Sequence, residues 1–206
     1  MSMREKNSSV SEQTKQQLAS ALKTLMAQKP MDKITIADLT GICRIRRQSF
    51  YYHFEDIYDL LRWMFQSEAV SLLRQHEGTL LWQEGLLQLF RYLEENREVC
   101  LCALNSMGRS HIKRFFEADI YNIIHHTVEQ LGNKIGASSP SDSMTDMEML
   151  THFYVVALAG MIESWLLGEI HRTPEELIRF TDVFLNDQVN GAAMRIEKER
   201  KNKTKE

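Results

Sequence analysis

Leu18, Ala21, Leu22, Leu25 and Met26 recur at i, i+3, i+4, i+7 and i+8. That spacing is the apolar stripe of an amphipathic helix over about residues 12–28, which Pro30 closes. Residues 1–11 carry no such period and read as a flexible leader. Thr35-Ile-Ala-Asp38 puts a capping hydroxyl and a first-turn acid three residues apart, the opening of a short second helix that continues through Leu39 and Thr40. Gly41 to Arg44 reads as a tight turn. A third short helix, about 46–52, follows it. Asp56 with Asp59 caps a fourth helix whose apolar side is Leu60, Leu61, Met64, Phe65, Leu72 and Leu73. Beyond it the period predicts helices over 80–95, 97–107, 111–133, 145–169 and 174–199. Gly136 to Ser143 is the strong loop, and Pro174 with Glu175 and Glu176 marks a helix N-terminus. From Arg195 onward the period is lost and a flexible tail is expected.

Three prolines and nine glycines in 206 residues leave few breakers, so the pattern implies an all-α fold. The expected layout is a leader (1–11), a three-helix domain (12–56), a helix connecting from 56 to 75, a larger helical domain (57–194) and a tail (195–206). Cys43, Cys100 and Cys102 are odd in number and sparse, which excludes a disulfide framework. The polar N-terminus is unlike a signal peptide. The apolar run Phe153–Ile162 stops at Glu163, too short to span a bilayer. A cytoplasmic protein without a membrane partner is expected.

Net charge is −3 overall, yet its distribution is uneven. Residues 1–54 hold nine Lys/Arg against four acids, and the rest holds 16 against 24. A basic head on an acidic body suits a localised anion-binding surface. Two short helices joined by a turn behind a longer helix form a helix-turn-helix. Within residues 45–54, Ile45, Phe50 and Phe54 are the apolar pins. Arg46, Arg47, Gln48, Ser49, Tyr51 and His53 remain for DNA.

The string Gln48-Ser-Phe-Tyr-Tyr-His-Phe54 followed by Glu-Asp-Ile-Tyr-Asp-Leu60, with Thr35-Ile-Ala-Asp-Leu39 before it, resembles the reader segment of the TetR/AcrR family of transcriptional regulators. The resemblance covers about residues 12–65. It implies that Arg47 and Gln48 read base edges, for which arginine suits guanine and glutamine suits adenine. It also implies phosphate contacts from Tyr51, His53 and Thr35, with Tyr52 nearby, and from Thr14 or Lys15 at the start of the first helix. Three positions depart from the family pattern. Arg44 stands where a turn glycine is common, Arg46 where a capping serine is common, and Ile57 where a phosphate-binding lysine is common.

The body carries no comparable motif. Residues 145–169 are apolar nearly all round, as a helix with two buried faces must be. The resemblance implies a homodimer built on the last two long helices, with Phe153, Ala157, Gly160, Met161, Leu177, Phe180 and Phe184 at the interface of a four-helix bundle. It also implies a ligand cavity, with Phe90, Leu104, Met107, Phe115, Phe116, Tyr121, Tyr154 and Trp165 as candidate lining. His125 and Glu129 are four apart, but no third ligand accompanies them, so neither a metal nor another cofactor is expected. No nucleophile motif or phosphate loop argues for an enzyme. His152 to Gly160, Glu163-Ser-Trp165 and Thr173-Pro-Glu-Glu176 look like the subgroup that regulates dihydroxyacetone kinase operons. The expected function is a regulator of a palindromic double-stranded operator, a repressor released by a small-molecule effector. The alternatives are an activator working with a protein partner, or a helical dimer that does not bind DNA.

Overall fold

The computed structural model describes residues 3–75, 82–107, 120–130, 133 and 143–203. Among the described residues every regular element is helical. They are α1 (Met3–Met26), α2 (Ile36–Cys43), α3 (Arg47–Tyr51), α4 (Ile57–Phe65), α5 (Ser71–Arg74), α6 (Trp82–Glu95), α7 (Arg97–Met107), α8 (residues 120–130), α9 (Ser143–Leu166) and α10 (Pro174–Lys203). Two compact units result, Met1–Ser71 with Glu95–Phe115, and Leu72–Glu94 with Phe116–Glu206.

In the first unit α1 buries Leu18, Ala21, Leu22, Leu25 and Met26, the stripe its spacing demands. The helix begins at Met3, not near residue 12. The polar segment before Ser11 holds no glycine or proline, and propagation of a nucleated helix adds one bond per residue fixed. Pro30 stops α1, and a 3₁₀ turn at Met31–Lys33 leads to Thr35. There the capping box is complete: Thr35 accepts from the Asp38 amide, and Asp38 accepts from the Thr35 amide. α2 ends with Arg44 in the left-handed region, φ 54 and ψ 41. The Ile45 amide then donates to the Thr40 carbonyl at 3.0 Å, a Schellman-type closure. Phe50 and Phe54 seat α3 in the core, and Ile45 is half-buried. Arg46, in the capping position of α3, makes no side-chain cap.

Asp56 caps α4 by accepting from the Asp59 amide at 2.8 Å. α4 then passes into a π-helical turn, Gln66–Val70, before α5. The wider turn shifts the register, so Ala69 and Val70 are buried and Leu72 is only half-covered. A uniform 3.6 period misses this. α7 buries Val99, Cys100 and Ala103 and packs against α1 and the 3₁₀ turn. By packing it groups with α1, although its place in the sequence assigned it to the larger domain.

In the second unit α6 buries Leu86, Leu89, Phe90 and Leu93. Phe90 meets Trp165 edge to face at 5.2 Å, and the Trp165 indole N–H donates to the Arg172 carbonyl at 2.8 Å. α9 closes at Gly168, whose φ of 79 suits glycine. α10 opens on a second capping box, between Thr173 and Glu176. It runs to Lys203, so most of the expected tail has a helical backbone. The loop expected over 136–143 lies outside the described residues up to Ser143, which begins α9.

Candidate nucleic-acid interface

α3 is one and a half turns long and is held by two phenyl rings. Phe50 is fully buried and Phe54 nearly so, their centroids 5.9 Å apart. On such a short helix, pinning one side fixes what the other presents. Arg46, Arg47 and Gln48 are exposed, Ser49 is half-buried, and Tyr51 and Tyr52 stand 59% and 82% exposed. Among the described residues no carboxylate pairs with Arg44, Arg46 or Arg47. The exposed start of α3 therefore carries positive charge that no carboxylate pairs among the described residues.

Around it the polar groups are partly engaged already. The Thr35 hydroxyl donates to Asp38 Oδ2 at 2.9 Å while accepting from the Asp38 amide at 3.2 Å. That same Oδ2 takes the Thr35 amide and the Lys29 ammonium, each at 2.9 Å. The Lys29 hydrogen bond, with the two from Thr35, pulls the Asp38 pKa down to about 2. A phosphate reaching the Thr35 side chain has to displace Asp38. The Thr14 hydroxyl is spent within its helix, on the Val10 carbonyl at 2.9 Å. His53 is half-buried, its Nδ1 3.5 Å from the Ser11 hydroxyl. Partial burial, with the Lys15 charge beside it, lowers the His53 pKa, so its neutral form dominates near neutral pH.

Burial pushes Cys100 up to about 12 and raises Cys43 and Cys102, leaving protonated, weakly nucleophilic sulfurs. Among the described residues no cluster of His, Cys, Asp and Glu is suited to a metal. His125 instead stacks on Tyr121 and bonds through Nδ1 to the Thr151 hydroxyl at 3.1 Å.

The second unit holds an apolar groove of about 1000 Å³. Its walls are Leu73, Leu86, Ile120, Ile123, Val128, Phe153, Tyr154, Ala157, Met161, Leu177, Phe180 and Phe184, among others. Of the expected lining residues that are described, only Tyr154 borders it. Phe90 and Trp165 pack on each other in the core, Tyr121 is taken by His125, and Leu104 sits on α7 in the other unit. Phe115, Phe116 and the Met107 side chain lie outside the described residues. The true walls are mainly ordinary aliphatics at helical spacing, which a sequence does not distinguish from core.

Of the expected interface residues, Phe153 and Phe180 are 56% and 66% exposed, and Ala157, Gly160 and Phe184 are exposed too. A Cβ added at Gly160 meets nothing within 4 Å. Met161 is half-buried. Leu177 is buried inside its own unit because it faces inward from the first turn of α10, so it is not free for a partner. The stretch Glu148–Leu166 is long and apolar enough to cross a membrane by composition alone, with mean hydropathy 1.3, yet only 22% of it is buried. Its sequence reading as too short counted only the run up to Glu163.

Residues 81–187 match the TetR-type family model described as "Transcriptional regulator C-terminal region". The chain belongs to the TetR family. It is similar to the HTH-type dhaKLM operon transcriptional activator DhaS of Lactococcus lactis subsp. lactis (strain IL1403), 36% identical over 84 residues. That alignment spans 41% of this chain and 45% of the relative, less than half of its length. Among solved structures, the dihydroxyacetone kinase operon activator DhaS superposes with a TM-score of 0.66 at 25% identity, over 86% of this chain and 96% of that one. The chain is thus a TetR-type transcriptional regulator resembling DhaS.

Proposed function

We propose that this regulator reads a palindromic DNA operator as a homodimer and activates transcription from it. The observation that carries the reading is the exposed start of α3, where Arg46, Arg47 and Gln48 follow Arg44 in the turn, on a helix seated by Phe50 and Phe54, the three arginines having no carboxylate partner among the described residues. Arg47 and Gln48 contact base edges. Tyr51, Tyr52, His53 and Lys15 hold the phosphate backbone, with Thr35 joining once Asp38 is displaced. Regulators of this family bind DNA and dimerise. Here α9 and α10 pair across the two-fold axis, covering Phe153, Ala157, Gly160, Phe180 and Phe184. That burial accounts for an apolar helix left so bare in one subunit. Reading both halves of such a palindrome requires two α3 helices about 34–36 Å apart, one turn of duplex. The work is done in the cytoplasm, without cofactor or catalysis.

Activation is the favoured output because DhaS, named above as relative and as solved structure, is an operon activator. A protein partner then supplies the signal. Repression relieved by a small molecule is the second reading, favoured by the apolar groove, whose size suits a drug-sized ligand. Selection of duplexes from a random library tests the DNA reading: a palindrome should emerge whose retention weakens steeply with salt. No enrichment would leave a helical dimer that ignores DNA. A reporter carrying the selected palindrome, with and without the protein, then separates activation from repression by the sign of the change.

A further inference from the structure

Lys15 lies on α1 and Trp63 on α4, 48 positions apart, and they meet beside the reader helix. The Lys15 ammonium sits 5.6 Å from the Trp63 ring centroid, inside the range in which a cation is drawn to an indole face. The indole itself is steadied from below. It packs edge-on against Phe54 at 5.9 Å, and Phe54 packs on the fully buried Phe50. The nearest carboxylate oxygen, Glu12 Oε2, is 3.7 Å away, beyond hydrogen-bond distance. Glu12 thus shares the charge of the ammonium as an ion pair, while among the described residues no hydrogen bond spends its N–H donors.

We propose that Trp63 is a positioning residue of the DNA interface, holding Lys15 where its ammonium clamps a backbone phosphate. The proposal rests on the DNA reading above and adds two things to it. It selects Lys15 over Thr14, whose hydroxyl is spent on Val10. It also gives Trp63 a role beyond packing, as the ring over which the ammonium is held. The core residues Phe50 and Phe54 then serve twice, fixing α3 and backing the ring that aims Lys15.

The test is the salt dependence of binding by the full-length protein to its selected duplex. Lys15→Gln takes one cation from each of the two subunits on the duplex and should remove about 1.8 from the slope of log K against log salt. Between 50 and 200 mM salt, the advantage of the unmodified protein over that variant should then narrow about 12-fold. Trp63→Leu should flatten the slope by a large part of that amount, and should have no further effect on the slope in a Lys15→Gln background. Trp63→Phe, which keeps a π face, should retain it. Trp63→Met, which fills more space, reads the same slope if the leucine variant does not fold. An unchanged slope in the non-aromatic variants, or equal flattening with and without Lys15, overturns the proposal while the DNA reading stands. Absence of salt-dependent binding by the unmodified protein overturns both.

Discussion

Arg44 sits at φ 54, ψ 41, a conformation in which a Cβ costs roughly 1–2 kcal/mol. Its side chain is exposed and unpaired among the described residues, so Arg44→Gly removes that strain and loses no ion pair. Against the gain stands the extra freedom of glycine in the unfolded chain, about 0.4–1 kcal/mol. The difference is a net stabilisation of about 0.5–1 kcal/mol. Urea unfolding followed by circular dichroism, at one fixed protein concentration, should show a higher midpoint with an unchanged slope. Arg44→Ala is the deciding control. It removes the same charge but keeps the Cβ, and should leave the midpoint where it was. If alanine stabilises as much as glycine, the relief is electrostatic, from spacing out the charges of Arg44, Arg46 and Arg47, and the backbone argument is wrong. If glycine lowers the midpoint, the turn is not under strain at all.

Four further outcomes follow from the structure. Arg47→Ala should relax base preference at one operator position and cost about 1–3 kcal/mol there, whereas uniform loss across sequences in a binding-site selection would assign Arg47 to phosphate. Phe180→Asp, on the bare face of α10, should shift the protein to single subunits in sedimentation velocity; an unchanged dimer would move the interface elsewhere. Asp38 has a folded pKa lowered from 3.8 to about 2, so its stabilisation is full above about pH 4 and lost as pH falls through about 2. The stability difference between the unmodified protein and Asp38→Asn should close over that window in acid titrations. The lowered pKa of His53 works in the same direction at higher pH: its stabilisation is full above about 6.5 and declines as pH falls below it, which comparison with His53→Gln can check.

Much of the reader was legible in advance because it is built from local signals. Thr35 and Asp38, Asp56 and Asp59, and Thr173 with Glu176 are caps whose residue types and spacing declare the helix start. Phe50 and Phe54 differ from their polar neighbours enough to mark the buried side of α3. What escaped depends on distant parts of the chain. Lys15 over Trp63 joins two helices whose relative rotation no periodicity fixes. The π turn at Gln66–Val70 shifts the buried set from Leu72 to Ala69 and Val70 without any proline or glycine to announce it. The groove walls escaped for another reason: Ile120, Ile123 and Leu86 look like any core aliphatics, whereas the aromatics that drew attention, Phe90 and Trp165, are spent on each other.

The bareness of α9 has a consequence for handling the molecule. With Phe153, Ala157 and Gly160 exposed on so apolar a rod, the proposed pairing makes dilution itself a perturbant. Melting temperature should climb with the amount of protein in the tube, as for any fold completed by association. Inside a cell, the dose of chain made would then govern how much competent reader exists, before any signal arrives.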